Sequence, residues 1–117
     1  MFREVLAAIL ENVDGALAIS LIGLDGIAIE SIKNPAVPLE VLAAEFGGFI
    51  RSLRLSNTEL NTGEVLQFSL TTEKYITFLS AVTPDYFIIL VMKPDGNYGR
   101  ARFELGKAKL ALRDELT

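Results

Sequence analysis

The 117-residue chain contains neither cysteine nor histidine. Without cysteine there is no disulfide, no thiolate nucleophile and no zinc–thiolate site. Without histidine, the usual general base near neutral pH and the commonest transition-metal ligand are both missing. No run of about eighteen apolar residues occurs, so no segment is suited to span a membrane. The opening Met1-Phe2-Arg3-Glu4 puts an acid where a signal peptide has its basic start, and no uninterrupted apolar segment precedes Glu11. A cytoplasmic location is the expectation. The spacings GxxxxGK[ST] and GxGxxG are absent, which excludes the nucleotide-binding loops they encode. A basic excess is absent too: eleven Lys and Arg stand against fifteen Asp and Glu. The net charge of −4 is the wrong sign for a nucleic-acid partner.

Half of the residues are hydrophobic and only 22% are charged, the balance of a folded chain with a core. The length suits a single domain over 1–117. Phe2, Val5, Leu6, Ile9 and Leu10 follow helical spacing, and Asn12-Val13-Asp14-Gly15 stops that helix. Ala16–Ile22 and Ile27–Ile32 read as strands joined by Leu24-Asp25-Gly26, because an Asp-Gly pair between apolar runs favours a hairpin. After Pro35 and Pro38, a helix is expected from Leu39 to about Leu55, with Leu42, Phe46, Phe49, Ile50 and Leu53 on its apolar stripe. Gly47 and Gly48 inside it cost about 1 kcal/mol each against alanine, so some backbone must approach closely there.

The polar stretch Ser56–Gly63 reads as a loop, and Glu64–Thr71 as a strictly alternating strand with Leu66, Phe68 and Leu70 on one face. Thr72-Glu73-Lys74 turns into a strand over Tyr75–Val82, and Thr83-Pro84-Asp85 turns into Tyr86–Met92. That last run has no polar break, as befits a central strand covered on both faces. A final helix over Tyr98–Glu115 turns Ala101, Leu105, Ala108 and Leu112 inward. The expected fold is an α+β sandwich of order α-β-β-α-β-β-β-α with one five-stranded antiparallel sheet. If Tyr86–Met92 is central, Ile27–Ile32 and Glu64–Thr71 are the edges. The second edge lacks proline, bulge glycine and interior lysine, the features that keep open ladders from pairing. It is expected to pair with a copy of itself.

No catalytic constellation emerges. Asp95-Gly96-Asn97 lacks the alternating ligands of a calcium loop, so neither metal nor cofactor is expected. Glu40, Glu45, Asp114 and Glu115 read as solvated helix faces. Ser20, Ser69 and Ser80 fall in strands with no histidine to activate them. The chain is read as a non-enzyme. Arg51 and Arg54 on the second helix admit two readings: a cationic contact for an acidic partner or an arginine finger, or snorkelling side chains that cover their own helix or pair with Glu45. Phe46 and Phe49 are core by default, although part of so broad a stripe is free to bury against a symmetry-related helix.

Val13-Asp14-Gly15-Ala16-Leu17-Ala18, the Leu24-Asp25-Gly26 hairpin and Lys93-Pro94-Asp95-Gly96-Asn97-Tyr98-Gly99-Arg100-Ala101-Arg102-Phe103-Glu104-Leu105 together resemble the roadblock / dynein light chain superfamily, in its MglB-like bacterial branch. The resemblance covers essentially the whole chain. It implies a profilin-like sandwich with the second helix on one face and the other two opposite. It implies a homodimer joined through Glu64–Thr71 and the Leu39–Leu55 helix, with Val65, Gln67, Ser69, Leu42, Phe46 and Phe49 at the interface. It also implies a Ras-like small GTPase as partner, seated over the helix pair, with Glu45, Arg51, Arg54 and Leu55 as contacts. In such relatives hydrolysis is accelerated by repositioning the GTPase's own residues. The sequence ends soon after the third helix, so functions that depend on an extended tail are not expected. Two alternatives stay open: a scaffold subunit of a larger assembly, and a small-ligand sensor with a cavity beside Ala43, Ala44, Gly47 and Gly48.

Overall fold

A computed structural model describes residues 2–116; Met1 and Thr117, the ends of the expected domain, lie outside the described residues. The elements are α1 (Phe2–Asn12), β1 (Ala16–Gly23), β2 (Ala28–Ile32), α2 (Leu39–Leu60), β3 (Gln67–Thr71), β4 (Ile76–Thr83), β5 (Tyr86–Met92) and α3 (Tyr98–Leu116). The strands form one antiparallel sheet in the order β2-β1-β5-β4-β3. The unbroken apolar run therefore lies at the centre, and the two expected edges are the edges.

Alternation along β5 divides the core into two layers. Ile88, Leu90 and Met92 meet α1 and α3 through Leu6, Ile9, Leu105 and Leu112. Phe87, Ile89 and Val91 meet α2 through Ala43, Phe46 and Ile50. A period of two on the strand and near four on each helix thus yields one helix on one face and two on the other. Ala101, Leu105, Ala108 and Leu112 are all buried, as their spacing requires.

Two boundaries differ from the sequence reading by more than one residue. The stretch Ser56–Leu60 continues α2 and is not loop. Its polar side chains bond locally: Thr58 Oγ1 donates to the Arg54 carbonyl at 3.2 Å, and Asn57 Oδ1 accepts from the Thr62 amide just past the helix end. The stop is Asn61, whose left-handed φ of 54° closes the last turn with its N–H on the Asn57 carbonyl. Consequently β3 begins at Gln67 and not at Glu64. Residues 64–66 run alongside without strand geometry, although the Leu66 carbonyl already accepts from the Ala81 amide.

The turn between α1 and β1 is stitched to the turn between β5 and α3. The Lys93 amide donates to the Gly15 carbonyl at 2.8 Å, and the Asn97 amide donates to the Asp14 carbonyl at 3.0 Å. Asn97 then caps α3, its Oδ1 accepting from the Arg100 amide at 3.0 Å. The close approach implied by the glycines of α2 comes from the β1–β2 hairpin. A β-carbon on Gly26 would stand 3.0 Å from the α-carbon of Ala44, and one on Gly47 would stand 3.4 Å from the Leu24 carbonyl oxygen. Gly48 meets nothing nearer than the Arg51 side chain at 3.7 Å.

Candidate protein-interaction site

The antiparallel ladder fixes which groups of β3 are free. Leu66 O accepts from Ala81 N at 2.9 Å before the strand, and Thr72 N donates to Tyr75 O at 2.8 Å after it. With Gln67 opposite Ser80 and Thr71 opposite Ile76, even-numbered residues bond to β4. The odd-numbered Gln67, Ser69 and Thr71 direct their N–H and C=O outward. Among the described residues no strand lies beyond them. The Ser69 side chain turns toward α3, its Oγ 3.1 Å from the Tyr98 hydroxyl. Val65 packs, half-buried, on the α2 layer.

Beside that edge runs an apolar shoulder. The rings of Phe46, Phe49 and Phe68 form a triangle with centroids 5.3, 5.8 and 6.1 Å apart. Phe46 is buried in the core of the chain itself, whereas Phe49 is 42% exposed. Phe49, Leu53, Phe68 and Leu70, with Ser52 and Ser56, line an open groove of about 310 Å³ between α2 and the sheet edge. Leu42 lies half-buried on the same flank of α2. Of the six expected interface residues, Gln67 and Ser69 offer backbone, Phe49 offers apolar surface, and Val65, Leu42 and Phe46 mostly support them.

The opposite edge is different. Arg3, from α1, donates from Nη1 to the Ser31 carbonyl and to Glu30 Oε1, both at 3.0 Å. The register of β2 also slips against β1 between Leu21 and Ile22. A filled acceptor and a bulge are recognised ways of closing a sheet edge. β3 has neither.

The four expected contact residues do not converge on one point. Glu45 and Leu55 are exposed. Arg51 donates from Nη1 to the Leu24 carbonyl at 2.6 Å, tying α2 to the hairpin. Arg54 donates to the Pro84 carbonyl, lies 3.8 Å from Glu64 Oε2, and holds its guanidinium 5.7 Å from the centroid of the Phe87 ring. Both arginines therefore brace the chain's own fold, through backbone carbonyls and not through Glu45. The hairpin backbone packs against Ala43, Ala44 and Gly47, while an open groove of about 560 Å³ remains between β2 and the start of α2, lined by Gly26, Ile27, Glu30, Leu39 and Ala43. Glu40 is fully exposed, and a hydrogen bond from Lys33, then the lysine's charge, holds its carboxyl below the ordinary range.

Among the described residues no group of three or more carboxylates gathers to hold a metal ion, and no helix is long and apolar enough to cross a membrane. Sequence reasoning passed over Glu104, which is buried on α3 beside Ala101 and Ala108. Its position on the inward stripe, four residues after Arg100, was the available signal.

No protein-family model matches the chain, and no curated protein matches it. Solved structures do. MglC from Myxococcus xanthus is 33% identical, over 97% of this chain and 98% of that one, with a TM-score of 0.68. A Roadblock/LC7 domain from Streptomyces avermitilis is 15% identical, over 97% and 95%, with a TM-score of 0.86. The gliding protein MglB from Thermus thermophilus is 19% identical, over 97% and 86%, at 0.84. An MglB structure with a tetrameric arrangement is 18% identical, over 97% and 85%, at 0.85.

Proposed function

The chain belongs to the roadblock superfamily, with an MglB-like relationship, and from that premise we propose that it works as a homodimeric, non-enzymatic platform that regulates a Ras-like small GTPase. The observation that carries this reading is the open β3 edge beside the Phe49–Leu53–Leu70 shoulder. Outward backbone groups at Gln67, Ser69 and Thr71 pair with the same groups of a second copy, and the shoulders of the two α2 helices close over the junction. Gly48, which no backbone of its own protomer approaches, suits a helix laid alongside. An MglB relative adopts a tetrameric arrangement, which supports self-association in this fold.

Once two copies join, their α2 helices form one continuous surface. Glu45 and Leu55 present side chains there, while Arg51 and Arg54 shape it by anchoring the flanking turns. With no histidine or cysteine to act as base or nucleophile, its effect on a GTPase works through binding: it stabilises one arrangement of the GTPase's own catalytic residues. The test mixes the protein with the small GTPase encoded nearest to it and follows both complex formation and phosphate release. Faster release in the complex supports regulation. A complex without a rate change supports the scaffold reading. The absence of any complex removes both.

A further inference from the structure

α3 carries a surface that the reading above leaves unused, on the opposite side of the sheet from α2. Its buried stripe is Ala101, Glu104, Leu105, Ala108 and Leu112. At 3.6 residues per turn, Gly99, Phe103, Gly106 and Leu110 occupy the opposite pole. The solvent pole of a surface helix is ordinarily polar. Here Phe103 is 58% exposed and Leu110 is 70% exposed. A β-carbon on Gly106 would meet nothing within 4 Å, so no contact in this protomer requires a glycine there. Its presence nonetheless costs the helix about 1 kcal/mol against alanine. The 4-3-4 spacing of the four residues is that of a coiled-coil seam, and a missing side chain on the seam lets a second helix come close.

Charge identifies the second helix. α3 holds five cations and three acids, a net +2, whereas the other six cations and twelve acids of the chain give −6. Arg102, Lys109 and Arg113 run along one flank of the seam, and Arg100 and Lys107 along the other. Glu104 lies buried beneath, with Oε1 2.8 Å from Arg100 and Oε2 3.5 Å from Lys107. Both cations also stand over the Phe103 ring, 5.7 and 5.4 Å from its centroid. The buried carboxylate thus draws two positive groups toward an exposed aromatic ring by charge, which narrows the side-chain freedom lost when something binds there.

We infer that the outer face of α3 is the docking site for an amphipathic helix of an acidic protein partner. Apolar residues of that helix rest on Phe103 and Leu110 across Gly106, and its Asp or Glu flanks face the cations on either side. A second copy of α3 is disfavoured, because it would set cation rows against each other. An anionic membrane is disfavoured by the −6 carried on the rest of the molecule.

The experiment uses the full chain and a labelled three-heptad peptide with Leu at a and d and Glu at e and g, which repels its own copies and stays single. Binding is followed by fluorescence anisotropy beside the same peptide with Lys at e and g. The acidic peptide should bind at least tenfold more tightly than the lysine version, and its affinity should fall at least tenfold on Phe103→Ser and on Gly106→Gln. Gly106→Gln guards against a folding artefact, because it adds helix propensity and should leave the thermal midpoint unchanged or higher. No binding of the acidic peptide, equal binding of both peptides, or indifference to Gly106→Gln would overturn the inference. So would self-association abolished by Gly106→Gln, which assigns the face to a second copy. Phe103-dependent sedimentation with phosphatidylserine vesicles in place of peptide binding would assign it to a membrane.

Discussion

The backbone of Gly15 lies so close to that of Gly96 that a β-carbon on the first would stand 2.7 Å from the α-carbon of the second. Gly15 also has a φ of +89°. A β-carbon on Gly96 would meet the Asp14 carbonyl oxygen at 2.9 Å. Neither backbone can yield without breaking the bonds that tie Lys93 and Asn97 to this turn. Gly15→Ala and Gly96→Ala should each destabilise the protein by about 2–4 kcal/mol, read from urea unfolding. A loss under about 0.5 kcal/mol for both would mean the two turns move apart freely.

A second prediction separates self-pairing from folding. Because Gln67 directs its N–H outward, Gln67→Pro removes a donor that the β4 ladder does not use. Light scattering should show the mass halved relative to wild type, with the far-UV spectrum retained. Phe49→Asp should act in the same direction through the apolar shoulder. A mass shared with a monomeric wild type would discard the pairing.

Under the proposed function the residues of α2 divide into braces and contacts. Arg54→Ala removes the bond to the Pro84 carbonyl and the stacking on Phe87, which should cost about 1–2 kcal/mol of stability. Glu45→Arg should leave stability within about 0.5 kcal/mol of wild type while weakening the proposed complex with a small GTPase. Thermal melts and titration calorimetry, measured side by side, check the division. The reverse pattern would reassign the two roles.

The end of α2 rests on Asn61 in the left-handed region. Asn61→Gly should change stability by only a few tenths of a kcal/mol, because glycine accepts that conformation. Asn61→Val should cost about 1–2 kcal/mol, since a β-branched side chain clashes there. Chemical denaturation of the pair decides it; equal effects would show that the terminus frays regardless.

Dependence on pH follows from composition. With no histidine and no cysteine, stability should be flat from about pH 6 to pH 8. Glu40 is held below the ordinary carboxyl range by Lys33. Its contribution is therefore complete above the unfolded value of about 4.3 and is lost as pH falls through the lowered folded value. Glu40 is fully exposed, so solvent and salt screen the effect. Urea midpoints of wild type and Glu40→Gln should coincide in high salt and separate slightly in low salt, the wild type losing its advantage on acidification.

Much of this architecture could be read before any coordinates. The unbroken Tyr86–Met92 run announced its central place, the Asp25-Gly26 pair announced the hairpin, and the spacing of Ala101, Leu105, Ala108 and Leu112 announced the inward face of α3. The polar run Ser56–Leu60 misled because Ser, Asn and Thr serve loops and exposed helix turns alike, and only the backbone of Asn61 shows where the turn ends. The short start of β3 followed from the same shift. Gly47 signalled a close approach, yet one chain of letters could not say that the hairpin makes it. Arg51 and Arg54 were recognisable as a pair, but their acceptors are the distant carbonyls of Leu24 and Pro84. Those partners exist only once hairpin, turn and helix are brought together.

The guanidinium of Arg3 on the Ser31 carbonyl decides how large a backbone-paired assembly can become. A sheet with two bare margins is a monomer in the chemist's sense, able to polymerise end to end without limit. Stoppering one margin makes it a chain terminator: in the proposed union through β3, the first joining would consume the last reactive end and halt ladder growth at ten strands.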